Sequence, residues 1–399
     1  MNKQIKQRIA QLNNGEVPNG YKKTEFGIFP CDWVTDKKLK DIGSFDKGRG
    51  LPGDKMRDRG VHCVGYGDIY MKYNNFHFEK AENFVDEETA SESLPIKKGT
   101  LLFTSTGETA EEIGKCVCYN GDETIYAGGD IITFKTNEVN PLFLAYQQYQ
   151  SYSLAKKASF GQGHSVVHIH ADNLEKLNVA YPKSTAEQEK IAEILMKWDE
   201  AIELEEQYII ILEVRKNSIM KRLLTPQEDW RYVLLGDICQ IKTGRLDANA
   251  MDEDGIYPFF TCSKDIYRIN RYSFDCEALL IAGNGDIGDV KYYNGKFDAY
   301  QRTYVMSEFT FNIKYVMQYL RLNFDKDVMK GMQKSSMPYI KLDLLKKAKI
   351  YYKVSAIEST VAILSTVDNE IELHQLKLSE LKKQRKTLQQ YLLNGIVRV

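Results

Sequence analysis

No stretch of this sequence approaches the ~18 consecutive apolar residues of a membrane span, and Met1 to Leu12 is too polar for a signal peptide. A cytoplasmic location is expected. The seven cysteines (Cys31, Cys63, Cys116, Cys118, Cys239, Cys262, Cys276) are odd in number and form no Cys-x-x-Cys pair. That argues against both a disulfide framework and a zinc ribbon, and they read as reduced thiols. Excess charge is missing too. At a net −1 the chain lacks the basic surplus of a protein that wraps nucleic acid alone, so any grip on DNA must come from local patches or partner subunits. Catalytic signatures are also absent. There is no Asn-Pro-Pro-Tyr or Asp-Pro-Pro-Tyr of an amino-methyltransferase. The segment Gly107 to Lys115 fails the P-loop pattern, because six residues separate its glycines and Cys116 follows the lysine.

What is present is ordinary soluble composition, 43% hydrophobic and 27% charged over 399 residues, enough for two or three domains. The chain also says the same thing twice. Asp172-Asn173-Leu174, Tyr181-Pro182-Lys183 and Glu187 recur as Asp343-Leu344-Leu345, Tyr351-Tyr352-Lys353 and Glu358 at an offset of 171 (343 − 172; 358 − 187). Trp33, Leu39-Lys40-Asp41-Ile42 and Gly48 recur as Trp230, Leu235-Gly236-Asp237-Ile238 and Gly244 at an offset of 196 to 197 (237 − 41; 230 − 33). The first copy therefore carries roughly 25 more residues in its middle. A period this long is a duplicated domain.

The pattern divides the chain into an N-terminal helix and loop (1–30), a first α+β domain (31–183), a long helix (184–226), a second α+β domain (227–353) and a closing helix (354–399). Glycines punctuate β-type runs at Cys116 to Tyr119, Ile131 to Phe134, Ala278 to Ala282, Val290 to Tyr293 and Thr303 to Met306. Asn140-Pro141 opens a helix with Leu142, Leu144, Ala145 and Leu154 for its buried face. The opening helix, Lys3 to Leu12, echoes residues 385–394, as though the two repeats closed into a circle.

Ser184-Thr185 caps the first long helix, with Glu187 in its first turn. Its stripe of Ile191, Leu195, Trp198, Ile202, Ile209, Leu212, Ile219 and Leu223 is a heptad broken only by Glu205 and Lys216. The second long helix shows Ile357, Val361, Leu364, Ile371, Leu378, Leu381, Leu388 and Leu392, with a step out of phase between Leu378 and Leu381 and with Asp368 and Gln375 in its seam. At ~1.5 Å per residue each helix is about 60 Å long, and the simplest packing is an antiparallel coiled coil. The fold class is α+β with an internal pseudo-two-fold repeat.

Candidate chemistry is sparse. Asp286, Asp289 and Lys291 resemble a nuclease core, but their glycine-rich spacing reads as a turn. His164, His168 and His170 hold half of the six histidines without a carboxylate or thiol at metal-motif spacing; no metal and no catalytic residue is assigned. What remains are matched glycine-flanked basic loops: Lys47-Gly48-Arg49-Gly50 with Lys242-Thr243-Gly244-Arg245, and residues 156–165 with 330–336. Glycine permits close backbone approach, lysine neutralises phosphate, and Arg, Gln, Asn or His can address base edges.

Together with Tyr66-Gly67-Asp68-Ile69-Tyr70, Phe103 to Lys115, Tyr257-Pro258-Phe259-Phe260, Leu280 to Gly285 and Tyr300-Gln301-Arg302-Thr303-Tyr304, these features make the whole chain resemble the specificity subunits of Type I restriction-modification systems. The resemblance implies two target recognition domains, each reading half of an asymmetric split sequence in double-stranded DNA, with the helices as a ruler between half-sites. It implies a non-catalytic subunit on which two methyltransferase subunits dock, and which two restriction subunits can join. S-adenosylmethionine, magnesium and ATP would bind those partners and not this chain. Candidate DNA-binding residues are Lys47, Arg49, Lys115, Gln162, His164, His168, Lys242, Arg245, Lys264, Asn284, Arg302, Lys334 and Ser335. A coiled-coil scaffold with two protein-binding heads is the competing reading, and a self-contained nuclease or methyltransferase a third.

Overall fold

The computed structural model describes residues 3–51, 53–73, 76–163, 166–327 and 339–399. The chain divides into two compact units, Met1–Leu204 with Leu378–Val399, and Glu205–Lys377. A central helix, Thr185–Leu224, and a C-terminal helix, Ile357–Leu393, each give one segment to either unit.

The first unit is framed by a five-stranded sheet in the order Gly43–Lys47, Ile131–Thr136, Thr100–Thr104, Cys116–Tyr119, His77–Phe78. Its middle strand is buried on both faces. Leu101 and Phe103 enter one core with Cys116 and Cys118, whereas Leu102 enters another with Val117 and Tyr119. The strand's period of two, covered on both sides, explains a run with no polar alternation. A second sheet, Asn83–Val85, Val61–Val64, Ile125–Ala127 and Leu94–Ile96, covers one face and accounts for the extra length of this copy.

Helix Pro141–Gln147 lies in the other core, capped by Asn140, whose Oδ1 accepts the Phe143 amide at 3.0 Å. The sequence suggests that this helix continues through Leu154. It stops at Gln147 and restarts as Ser151–Phe160, and the two expected core leucines, Leu142 and Leu154, are only half-buried. Central-helix residues Ile191 and Leu195 complete this core together with Leu392 and Leu393 of the C-terminal helix; Trp198, Ile202 and Leu378 are half-buried. The opening helix, Lys3–Asn13, buries no side chain. It is tied to the chain's end by Arg8, which donates to the Ile396 carbonyl at 3.0 Å, and the following strand, Tyr21–Thr24, by the Tyr21 hydroxyl, which donates to that of Gly395 at 2.6 Å.

The second unit has a six-stranded sheet, Gln240–Thr243, Thr303–Ser307, Phe274–Ala282, Val290–Ala299, Tyr257–Phe260, Ile266–Ile269. Its first four strands repeat the order of the first unit, and the same alternation sends Leu279 and Ile281 to one core and Ala278 and Leu280 to another. Helix Ile313–Asp327 repeats the capped helix, with Asn312 Oδ1 accepting the Tyr315 amide at 3.1 Å. Within this unit Leu212 packs on Val367 and Ile371, and Leu364 joins the main core beside half-buried Val361. Ile209 is also buried. The two helices run antiparallel here: Glu205 meets His374 and Lys377, and eleven positions later Lys216 meets Asp368.

These pairings correct the heptad read from hydrophobicity. Glu205 and Lys216 do not interrupt the seam; they face polar partners across it. Nor is there a phase slip near Leu378. His374 and buried Arg385 fill the positions that an apolar search leaves blank, so Ile371, His374, Leu378, Leu381, Arg385, Leu388 and Leu392 run as one heptad in an unbroken helix. Gln375 is exposed and lies outside the seam. The repeat offset also changes. Asp199 and Asp368, Lys216 and Arg385, and Leu224 and Leu393 are all 169 apart, because in the second copy a 3-10 turn, Val354–Ala356, opens the helix one residue after the strand, where the first copy has three.

Candidate nucleic-acid interface

In each unit three segments meet at the end of the buried middle strand, and the backbone hydrogen bonds that join them are the same. In the first, the Ser105 amide donates to the Asp130 carbonyl at 2.9 Å and the Ile169 amide to the Ser105 carbonyl at 2.9 Å. In the second, Gly283 donates to Arg302 at 2.8 Å and Ile340 to Gly283 at 2.8 Å. A fourth segment leaves the edge strand through Gly48, whose amide bonds the Ile131 carbonyl at 2.8 Å, or Gly244, which bonds Thr303 at 3.3 Å. Equivalent positions are therefore Lys47 and Thr243, Arg49 and Arg245, Thr106 and Asn284, Asp130 and Arg302, and His168 and Tyr339.

The two motif glycines have a different role from the one their sequence suggests. A Cβ on Gly48 would collide with the Gly128 carbonyl, and one on Gly244 with that of Ala299. They permit close approach to the protein's own backbone, not to a phosphate.

In the first unit Lys47 and Arg49 are exposed beside this crossing. Gln162 and His168 are brought together by paired backbone bonds of 3.0 and 2.8 Å, and His168 Nδ1 lies 3.2 Å from Thr106 Oγ1. Lys115 is half-buried, its ammonium bonded to the Tyr70 carbonyl at 3.2 Å, and burial lowers its pKa. It lines a groove of about 1060 Å³ with Tyr66, Tyr70, Met71 and Thr106, walled by Glu108, Glu111 and Glu112. Beneath the groove Lys157 is fully buried, donating to the Gly114 carbonyl at 2.8 Å, and desolvation brings its pKa down to about 8. His164 lies outside the described residues.

In the second unit Asn284 and Arg302 line a hollow of about 380 Å³ with Thr243, Gln301, Tyr304 and Tyr339. Thr243 also borders a hollow of about 640 Å³ that holds Lys242, Arg245 and Arg271. Lys264 is exposed on a turn whose amide bonds Asp286 Oδ2 at 3.0 Å. Lys334 and Ser335 lie outside the described residues. Sequence reasoning singled out Tyr66 only as part of the resemblance, not as a candidate DNA contact, and missed Met71 and Arg271. None sits in a repeated motif, and only the folding of loops onto the sheet end brings them in. The acids of the nuclease-like segment have structural partners: Asp289 pairs with Lys291 at 2.5 Å, and Lys291 also donates to the Ser263 carbonyl at 2.8 Å. Among the described residues no group of three His, Cys, Asp or Glu is placed to hold a metal ion, and no helix is long and apolar enough to cross a membrane.

Two repeated α+β units, each exposing polar and cationic side chains on backbone-pinned loops, define a paired recognition protein. The sequence matches the family described as Type I restriction modification DNA specificity domain twice, over residues 30–214 and 227–383, and the chain belongs to that family. It is 36% identical over 172 residues to the EcoDI specificity subunit of Escherichia coli, a match covering 42% of this chain and 38% of that relative's length. Against the MjaIX specificity subunit of Methanocaldococcus jannaschii it is 24% identical over 429 residues, covering 95% of this chain and 96% of the relative. The fold matches the crystal structure of the S subunit from M. genitalium with a TM-score of 0.62 at 17% identity, over 94% of this chain and 97% of that one. Membership makes this a specificity subunit with two recognition domains, a non-catalytic role.

Proposed function

We propose that the chain reads an asymmetric, bipartite sequence in double-stranded DNA, one half with each unit, for a complex that methylates adenine N6. The observation carrying this reading is the matched strand-end site: identical backbone frames in the two units present different side chains, as two readers of different half-sites require. The candidate DNA-binding residues named from the sequence belong to this proposal, with Lys115 held back from the surface by its bond to Tyr70.

Two methyltransferase subunits would dock on the chain and two restriction subunits could join them, bringing S-adenosylmethionine, magnesium and ATP. In the second unit each long helix leaves apolar side chains in water, Ile210, Ile211 and Val214 of the central helix at 59–61% exposure and Leu373 and Leu376 of the C-terminal helix at 61–67%. Apolar groups clustered on an exposed helix face favour a protein partner.

The test is a genome-wide map of N6-methyladenine in cells with and without the gene. Loss of one bipartite, asymmetric motif is expected. An unchanged map, together with no DNA binding by the purified complex, would favour a protein-binding scaffold.

A further inference from the structure

The two units differ most where their frames agree best. The backbone position that accepts the amide of Ser105 or Gly283 belongs to Asp130 in one unit and Arg302 in the other. Both side chains are exposed, and neither makes an ion pair or hydrogen bond among the described residues. Two positions beyond the edge strand, by contrast, both units carry arginine, Arg49 and Arg245, and both are exposed.

Phosphates are alike in every sequence, so a position that clamps the DNA backbone should carry the same sign in both units. A carboxylate there would repel the phosphate that a guanidinium attracts. Base edges are not alike. Guanine offers only acceptors, O6 and N7, in the major groove, and these match the donor fork of arginine; cytosine N4 and adenine N6 offer amino donors, which match a carboxylate. Sign inversion within a fixed frame is what base reading predicts, and sign retention is what backbone anchoring predicts.

We propose, resting on the DNA-specificity reading above, that Arg302 and Asp130 are equivalent specificity-determining residues. Arg302 reads a guanine in one half-site and Asp130 an exocyclic amine, of cytosine or adenine, in the other, while Arg49 and Arg245 hold phosphates. The neighbouring pairs Thr106 and Asn284, and His168 and Tyr339, also differ between the units, so the inverted charge sits within a wider surface of divergent side chains.

The experiment compares methylation maps of cells carrying the wild-type gene, Arg302→Ala, Arg302→Lys, Asp130→Ala or Arg245→Ala. Arg302→Ala should relax the motif at one G·C pair of one half, with a roughly 5- to 150-fold loss of discrimination there. Arg302→Lys keeps the charge but not the fork and should relax the same pair. Asp130→Ala should relax one position in the other half, and that position identifies cytosine or adenine. Arg245→Ala should leave the motif unchanged, lower methylation at all its sites, and reduce the salt dependence of duplex binding by about one ion. Melting temperatures should stay at the wild-type value, since all three side chains are exposed. Uniform loss without relaxation in Arg302→Ala and Asp130→Ala, or relaxation of both in the same half, would overturn the assignment. A wild-type gene that leaves no motif at all overturns the DNA-specificity reading itself.

Discussion

Arg385 Nε donates to Asp199 Oδ1 at 2.8 Å, joining the C-terminal helix to the central one within the first unit. The second unit contains the same relationship with the helices exchanged: Lys216, on the central helix, lies 2.5 Å from Asp368 on the C-terminal helix. In both, the capped helix of the α+β domain supplies a third member. Tyr146 donates to Asp199 at 2.7 Å and Gln318 to Asp368 at 2.5 Å. Each triad fastens a recognition domain to both long helices at once.

The arginine triad is the more deeply buried: Asp199 is 4% and Arg385 8% exposed, and the guanidinium lies 4.2 Å from the centre of the Phe76 ring. Removing one partner of a buried pair leaves the other charge uncompensated, which costs about 3–5 kcal/mol. Arg385→Ala should lose that much in urea unfolding. Lys216→Ala, at a less deeply buried pair with side chains 16% and 28% exposed, should lose less, about 1 kcal/mol. Equal losses would contradict the distinction.

Gly48→Ala and Gly244→Ala should each destabilise by about 1–3 kcal/mol, as overpacking does, because a methyl group would collide with the carbonyl of Gly128 or Ala299. Thermal melts should detect both losses in the absence of DNA. If the glycines served only to admit a phosphate, the melts would not change and only DNA affinity would fall.

Much of this fold was legible because its signals are local. Repeated turns around Gly48 and Gly244, the Asn140 cap, and the leucine and isoleucine spacing of both long helices are short-range patterns. What escaped was decided by tertiary partners. Hydrophobicity could not show that Arg385 and His374 belong in the seam, since each is tolerated there only through Asp199 or Glu205 on the facing helix. Gly48 and Gly244 were visible as motifs, but the carbonyls that require them, of Gly128 and Ala299, come from about 80 and 55 residues away in sequence. The equivalence of Asp130 with Arg302 had no signal in residue identity, because the two share a backbone position and nothing of side-chain chemistry.

Lys157 provides a pH test. Burial moves its pKa from the usual 10.5 down to about 8, so between pH 8 and 10.5 the unfolded chain holds a proton that the folded one has released. Stability attributable to this group therefore rises with pH across that window, and the cost of its charge is fully present below pH 8. Lys157→Met removes a penalty on the order of 3 kcal/mol, less about 1 kcal/mol for the lost bond to Gly114. The variant should be more stable than wild type at pH 7, with the difference shrinking towards pH 10. A difference independent of pH would mean that the ammonium is solvated when folded.

The exposed apolar faces of the two long helices in the second unit give the remaining test. Ile211 and Leu376 are each 61% exposed on the long helices, so a charge at either position meets water in the free chain and should change its stability by no more than about 0.5 kcal/mol. Buried against a partner, the same charge would be desolvated without a counter-ion, which is costly. Ile211→Glu and Leu376→Glu should therefore weaken co-purification of the methyltransferase subunit at least 10-fold while leaving the melting temperature of the isolated chain unchanged. Duplex binding by the isolated chain should also be unaffected, because neither residue belongs to a strand-end site. Retained co-purification in both variants would move the docking surface away from these two helix faces.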